Sequence, residues 1–371
     1  MRAAPRATPT ALERRAAPRE SRRARRRARA AFTTSDGVEL EVARASPTTT
    51  APTPTSRRAP VVFVHGSYHA AWCYEEHFAG YFNARGRETT SVSLRGHGAS
   101  GTTPGAATAG TLASHARDVG EVVRSARGDE DEGPAPVVFG HSFGGLVAQK
   151  MVADGDVEVS GLGLLASVPP SGNGEMVKRF LKRDLWTSLK ITYAFITKAF
   201  GTNPRLCREC FFSPSLSDED VARFAAKINA SSELRMLDLK ALKEELPVQK
   251  PAAGSRNADV PVLVLGGALD FVVDREGLEE TASWFAPRAE LVVERALLEL
   301  DAALMTSETA RALRSGRDAL VTVTRACEDV DELMRDLEGV GRWFAAAGED
   351  VPVRDDEIED EYAALARETT E

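Results

Sequence analysis

The chain has 371 residues, of which 43% are hydrophobic and 27% charged. This ordinary globular composition excludes a wholly disordered chain, a collagen and a bare coiled coil. The formal net charge of -8 argues against a general nucleic-acid binder. Four cysteines are too few for a disulfide scaffold, and no apolar run approaches the roughly 18–20 residues that a membrane-spanning helix needs.

The N-terminal segment 1–31 is strongly basic, with eleven arginines against Glu13 and Glu20. It contains no apolar stretch of the kind found in secretory signals, and an arginine- and alanine-rich, acid-poor leader is typical of organelle targeting. We therefore expect a disordered transit leader, with the chloroplast favoured over the mitochondrion. The alternative is a basic tail that binds polyanions on an otherwise cytoplasmic protein.

We expect one large domain over residues 32–348, followed by an acidic tail over 349–371 that holds ten carboxylates. A Thr- and Pro-rich stretch at 45–60 predicts an extended loop near the start of this domain. The strand-like segments on either side of it, Val38–Ala43 and Val61–Val64, can pair across the loop.

Short apolar runs alternate with helical patterns through the middle of the chain. Most runs lack polar alternation, as expected for strands that are buried on both faces. The alternation predicts an α/β fold with a mostly parallel central sheet and helices on both faces. The predicted strands are Val61–Val64, Ser91–Leu94, Pro136–Phe139, Gly161–Leu165, Val260–Leu265 and Leu291–Val293, and the predicted helices are Ala70–Asn83, Leu112–Ala126, Gly145–Ala153 and Arg275–Phe285.

An insertion at about 168–250 shows no strong strand pattern and predicts a helical cap. We expect helices around Glu175–Phe200, Asp218–Ala230 and Glu233–Lys243. The first of these is dense in apolar and aromatic residues, which favours packing onto the core. Two alternatives are an acyl-binding cleft and contact with a membrane surface. A lone C-x-x-C at Cys207 and Cys210 predicts cap packing, because no second ligand pair accompanies it.

The strongest local signal is G-x-S-x-G at residues 140–144, directly after a predicted strand and directly before a predicted helix. This context predicts a nucleophile elbow, a sharp turn that exposes Ser142. Gly140 and Gly144 would allow the strand and the helix to approach closely. The N–H of Phe143, at the helix N-terminus, is a candidate oxyanion-hole donor.

Two further glycine-rich turns follow predicted strands. His65-Gly66-Ser67-Tyr68 predicts a loop in which the Ser67 N–H is the second oxyanion donor, with Tyr68 the next candidate. His65 is expected to support this loop rather than to transfer protons. The segment RGHGAS at residues 95–100 predicts tight loop packing near the elbow.

The order of these motifs, HG-x-x-x-x-x-W, then RGHG-x-S, then GHSFGG, resembles the α/β-hydrolase superfamily, in its esterase- or lysophospholipase-like members. The resemblance covers about residues 33–300 and implies the α/β-hydrolase fold. It places the catalytic acid after the strand that follows the cap, which indicates Asp270, with Asp274 second. A carboxylate there would fix the tautomer of a catalytic histidine.

The resemblance also implies a histidine after the last strand, near Leu298, but no histidine follows Ser142 in the sequence. Three explanations stay open. The protein is a non-hydrolytic member that uses its site for binding, or the sequence is misjoined after about residue 290, or another histidine serves as the base. The misjoin is favoured slightly over true loss.

The sequence therefore predicts a serine hydrolase acting on a small or lipid-like carboxylic ester, impaired by the missing histidine. It predicts no cofactor, no metal and no nucleic-acid partner, with peripheral membrane contact through the cap as an option. The alternative is a non-catalytic ligand-binding or scaffold protein on the same fold.

Overall fold

The computed structural model describes residues 27–48, 58–128, 133–212, 216–232, 234–267 and 270–294. Strands and helices alternate along these residues. The strands are β1 Arg27–Thr33, β2 Glu39–Ala45, β3 Val61–Val64, β4 Thr89–Val92, β5 Thr108–Gly110, β6 Val137–His141, β7 Gly161–Leu165, β8 Arg235–Leu237, β9 Val262–Gly267 and β10 Ala289–Glu294. The helices are α1 Trp72–Glu76, α2 Phe78–Ala84, α3 Leu112–Arg127, α4 Phe143–Asp154, α5 Gly174–Arg183, α6 Leu185–Thr197, α7 Pro204–Phe211, α8 Asp218–Ser231, α9 Leu239–Glu245 and α10 Arg275–Phe285, with a 3-10 turn at Ala199–Gly201.

Eight strands form one mostly parallel sheet in the order β1-β2-β4-β3-β6-β7-β9-β10. The pairs β1–β2 and β2–β4 are antiparallel, and the remaining neighbours are parallel. Residues Val61–Val64 of β3 lie in register with Val137–Gly140 of β6. The carboxyl ends of these two strands therefore meet at one edge of the sheet, where the two glycine-rich turns begin.

The central strands are buried along their whole length, because helices flank the sheet. Every residue of β3, β4, β6 and β7 is buried. Helices α1 and α2 contact β4, α3 packs on α4, and α10 contacts β9 and β10. The predicted α/β architecture is confirmed, and β3, β7 and α10 have the predicted bounds. The two segments that could pair across the Thr- and Pro-rich loop are not neighbours in the sheet, because β4 lies between β2 and β3.

The cap differs from its prediction in two places. The helix expected over 175–200 is broken at Asp184, whose extended backbone and side chain cap α6 by accepting from the Thr187 N–H at 3.0 Å. The helix expected over 233–243 begins only at Leu239 and forms α9, because residues 235–237 form β8, which pairs in parallel with β5. The prediction of no strand in the insertion therefore fails for a segment of three residues, too short to leave a periodic pattern.

The first strand begins inside the segment predicted as a leader. Residues Arg27–Thr33 pair with β2 over their whole length, from Arg27 opposite Ala45 to Thr33 opposite Glu39. The sheet thus starts earlier than the expected boundary at residue 31. Residues 1–26, most of the Thr- and Pro-rich loop and the acidic tail lie outside the described residues.

A buried ion pair joins the loop after β4 to α3. The Arg95 guanidinium donates to both oxygens of Asp118 at 2.6 Å, and its Nη2 also lies 3.1 Å from Asp36. Arg95 is 3% exposed and Asp118 is fully buried, so neither charge can turn to water. The bidentate geometry satisfies the guanidinium fork and fixes the RGHG loop to the body of the fold.

We expect Asp118→Ala to lower the free energy of unfolding by about 3–5 kcal/mol, because it leaves a buried guanidinium without its main counter-charge. Arg117→Ala, which removes a half-exposed partner of Asp36, is the matched control and should cost less than about 1 kcal/mol. Urea unfolding of both variants measures the difference, and equal losses would contradict a buried, interior ion pair.

Candidate active site

Ser142 occupies the predicted strained turn between β6 and α4. Its backbone has φ 53° and ψ -125°, a region that residues with a side chain rarely adopt. The Ser142 N–H donates to the Leu165 carbonyl at 3.1 Å, and its carbonyl accepts from the Val168 N–H at 3.2 Å. The residue is partly exposed. The turn therefore presents the hydroxyl at the carboxyl edge of the sheet rather than sealing it in the core.

The glycines of the elbow are required by close backbone packing. A Cβ atom built on Gly140 would lie 2.7 Å from the Gly144 carbonyl oxygen, and one built on Gly144 would lie 2.7 Å from the Val64 carbonyl oxygen. Real Cβ atoms do not approach backbone this closely. Strand β6, helix α4 and the end of β3 consequently touch through their main chains at this point.

The loop after β3 lies directly against the nucleophile. A Cβ atom on Gly66 would fall 2.8 Å from the Cβ of Ser142. Within the described part of the chain, the N–H groups of Ser67 and Phe143 donate to no acceptor. The Phe143 N–H follows Ser142 directly at the positive end of α4, and the Ser67 N–H follows Gly66, the residue packed against Ser142.

Tyr68 connects this loop to the cap, which the sequence did not indicate. Its backbone has φ 66°, and its hydroxyl donates to the Phe195 carbonyl of α6 at 2.7 Å. Its ring stacks on Phe195 at 5.7 Å and meets Phe200 edge-on at 5.0 Å. Burial raises the pKa of the Tyr68 phenol, so the hydroxyl stays a proton donor in this contact.

Asp270 follows β9 at the same edge of the sheet as Ser142. One carboxylate oxygen, Oδ1, accepts from the Val272 and Val273 N–H groups at 2.9 Å each, and the side chain is half-buried. These hydrogen bonds orient the carboxylate.

Asp274, the second candidate acid, has a structural role. It caps α10 by accepting from the Gly277 N–H at 3.0 Å and forms a two-pronged ion pair with Arg179 at 2.6 and 2.8 Å. Burial acts to raise the pKa of Asp274, but the Arg179 and Gly277 hydrogen bonds outweigh it and hold the pKa below its usual value. Its oxygens are therefore committed to joining α5 and α10.

Five of the six histidines are buried near this edge, and each ring described below holds a loop in place. His65 accepts from the Leu94 N–H at 2.9 Å through Nε2, which leaves Nδ1–H to donate to the Gly66 carbonyl at 2.7 Å. The supporting role predicted for His65 is consistent with this geometry. Nδ1 of His97 lies 3.1 Å from the Arg95 carbonyl, and Nε2 of His115 lies 2.8 Å from the Met236 carbonyl.

These rings are held neutral. Burial lowers the pKa of His65 well below its usual value, that of His97 to about 4 and that of His115 to about 3. Across the described residues, which include all six histidines, no imidazole hydrogen-bonds to the Ser142 hydroxyl. The position near Leu298, where the resemblance expects the base, lies outside the described residues.

Metal-binding clusters and membrane-spanning helices are both missing from the described residues. Among the described residues, no group of three or more His, Cys, Asp or Glu side chains is placed to hold a metal ion. None of the described helices combines the length and apolar character needed to cross a bilayer. Cys207 and Cys210 are buried in α7.

The sheet order and the strained serine between β6 and α4 define a class of α/β proteins that present a nucleophile at a strand-to-helix turn. The model of the Alpha/beta hydrolase family matches residues 61–360. The chain therefore belongs to the alpha/beta hydrolase family, as the sequence resemblance indicated.

Several solved structures are similar to the chain. A hydrolase from Pseudomonas aeruginosa PA01 is similar with a TM-score of 0.52 and 20% identity, covering 80% of this chain and 98% of that one. The esterase RhEst1 from Rhodococcus sp. ECU1013 gives a TM-score of 0.48 at 20% identity, covering 71% and 89%. An alpha/beta hydrolase from Novosphingobium aromaticivorans gives 0.48 at 19%, covering 72% and 90%. No curated protein matches the chain.

We expect the buried histidines to make folding stability fall in mild acid. An unfolded histidine binds a proton below about pH 6.5, whereas His115 in the fold stays neutral down to about pH 3. Stability present above pH 6.5 is therefore lost as the pH falls, by roughly 1.4 kcal/mol per pH unit for each such ring.

The test compares urea unfolding of the protein and of His115→Gln between pH 7.5 and 4.5. Glutamine keeps a donor for the Met236 carbonyl but binds no proton. The slope of the unfolding free energy against pH, measured below pH 6.5, should therefore decrease by roughly 1.4 kcal/mol per pH unit. An unchanged slope would show that His115 takes up its proton in the folded state as well.

Proposed function

We propose that the protein is a serine hydrolase that cleaves carboxylic esters through Ser142. The observation that carries this proposal is the Ser142 backbone, φ 53° and ψ -125°, with the side chain partly exposed beside two unengaged N–H groups. A strained conformation of this kind persists only where the surrounding structure enforces it, and such strain concentrates at functional sites.

In the proposed reaction, Ser142 Oγ attacks the ester carbonyl and a tetrahedral intermediate forms. The N–H groups of Phe143 and Ser67 would donate to its oxyanion, supported by the positive end of α4. The alcohol then leaves with the proton that the Ser142 hydroxyl gave up, and water hydrolyses the acyl-serine, which releases the carboxylic acid and restores the hydroxyl. Both donors come from the main chain, so their positions are set by the fold rather than by side-chain rotamers.

We assign the acid to Asp270. Strands β6 and β9 are separated only by β7, which places their ends about 10 Å apart. That gap suits one imidazole between Ser142 and Asp270. Without the imidazole the serine hydroxyl is a weak nucleophile, and losing the base of a comparable triad lowers kcat by about 10⁶-fold. We therefore expect residual hydrolysis only.

A second candidate function is ligand binding without turnover. It is favoured by the histidines, since all six lie in the described residues and none reaches the Ser142 hydroxyl. The carboxyl edge of the sheet at Ser142 would then hold an ester or carboxylate through the N–H groups of Ser67 and Phe143. The two candidates differ in one measurable property, the reactivity of Ser142.

For the substrate we favour an ester with an apolar acyl group, small or lipid-like, with the cap as the part that contacts a lipid surface. Phe195, Phe200 and Phe211 form an aromatic cluster on the inner side of the cap, and this cluster contacts Tyr68 and His69 beside the elbow. Such a lining suits an acyl chain better than a charged group. We also retain organelle targeting by the basic N-terminal segment, chloroplast ahead of mitochondrion, as a proposal.

A fluorophosphonate probe should label the protein at Ser142, and Ser142→Ala should abolish the labelling. The reason is that the probe reports an accessible serine beside an oxyanion hole and needs no particular substrate. Mass spectrometry of the labelled peptide locates the site. A folded sample that stays unlabelled would count against the hydrolase and favour the ligand-binding candidate.

Leu298→His should raise the rate of probe labelling and of p-nitrophenyl ester hydrolysis by at least about tenfold, because it supplies an imidazole at the position that the family resemblance indicates. The double variant with Ser142→Ala should lose the gain, which is the control. No gain would argue that the loop cannot place a base. Transcript sequencing across codons 285–330 tests the misjoin separately, and an unchanged frame without histidine would reject it.

A further inference from the structure

The outer face of the cap carries a concentrated apolar patch. Eight large hydrophobic side chains are exposed in the described residues, and seven of them lie on α5 and α6. These seven, here called the cap patch, are Val177, Leu181, Leu185, Trp186, Leu189, Tyr193 and Ile196. Trp186 is 81% exposed and Ile196 63%. Apolar groups gathered on one exposed face indicate an interaction surface, whereas scattered ones do not.

The patch follows the helical repeat of α6. At 3.6 residues per turn, Leu185, Leu189, Tyr193 and Ile196 fall within an arc of about 100° with Trp186 at its margin. The opposite side of the same helix, Ser188, Ile191 and Ala194, is buried against the cap interior. Helix α6 is therefore apolar on both sides, and only one side has a partner in the described structure.

Basic side chains border the patch. Segment 174–198 holds six Lys and Arg against Glu175 and Asp184, although the chain as a whole is acidic. Lys178, Arg183 and Lys190 have side-chain exposures of 66%, 41% and 48%, and Lys182 makes no ion pair with a described residue. Three carboxylates from neighbouring elements, Glu209, Asp274 and Glu276, pair with part of this charge, which leaves the face with one net positive charge.

We propose that the cap patch docks on an anionic lipid bilayer, with α6 lying in the plane of the headgroups. Leucine and isoleucine would enter the acyl boundary, Trp186 and Tyr193 would sit at headgroup depth, and the lysines would meet lipid phosphates. A lipid phosphate would pair with Lys182, which makes no ion pair with a described residue, and a second copy of the chain is the competing occupant that the test below distinguishes. The inference extends the lipid contact in the proposed function, but it does not need Ser142 to be catalytic.

The test is sedimentation of the full-length protein with vesicles of phosphatidylcholine alone and with about 30 mol% phosphatidylglycerol. We expect at least about tenfold tighter binding to the anionic vesicles, reversed by salt, with a blue shift of the Trp186 fluorescence. Trp186→Phe should keep the binding and lose most of the shift. The variant with Leu189, Tyr193 and Ile196 all changed to Ser should weaken binding at least about tenfold, and these exposed positions leave the fold intact by circular dichroism.

Charge is tested by Lys182→Glu, which should weaken binding to anionic vesicles, against Lys243→Glu on α9, which should not. Ser142→Ala should bind like the unaltered protein, so that failure of catalysis and failure of docking are distinguishable. Equal binding to neutral and anionic vesicles, or none to either, would overturn the proposal. So would a concentration-dependent dimer that disappears in the triple serine variant.

Discussion

The structure depends on one strained residue. Ser142 sits at positive φ, an arrangement that costs about 1–3 kcal/mol. Two of its backbone hydrogen bonds, to Leu165 at the end of β7 and from Val168 beyond it, hold the turn from the neighbouring strand. The elbow glycines let β3, β6 and α4 close around it. Any residue with a side chain at Gly144 would have to push β3 away, so the sheet edge and the serine are fixed together.

The sheet and the elbow could be predicted because their signals are local: unbroken apolar runs bounded by glycine, and a serine motif between strand and helix. Other features had no such signal. Strand β1 is arginine- and alanine-rich and becomes a strand only by pairing with β2. Strand β8 is three residues long and depends on β5. The break at Asp184 depends on a capping geometry that the sequence pattern does not show. Apolar residues surround α6, so their pattern does not distinguish the buried side of the helix from the exposed side. The ion pair of Asp274 with Arg179 is likewise purely tertiary.

Three buried histidines show that an imidazole near a nucleophile can serve the fold instead of the reaction. His65 and His97 bond to backbone groups of nearby loops, His115 lies beside the Met236 carbonyl of β8, and burial keeps all three uncharged. These uncharged rings supply hydrogen-bond partners to buried main-chain groups, and buried polar groups need such partners. A ring committed in this way cannot also rotate toward Ser142. Several histidines near a nucleophile therefore do not by themselves provide a general base.

The side chain of Tyr68 connects the loop after β3 to the cap. The Tyr68 backbone lies in the turn that carries the Ser67 N–H, and the Tyr68 hydroxyl donates to the Phe195 carbonyl of α6. A shift of α6 relative to this turn would strain the hydrogen bond between Tyr68 and Phe195 directly. The position of α6 and the position of the turn that carries the Ser67 N–H are therefore linked through one side chain.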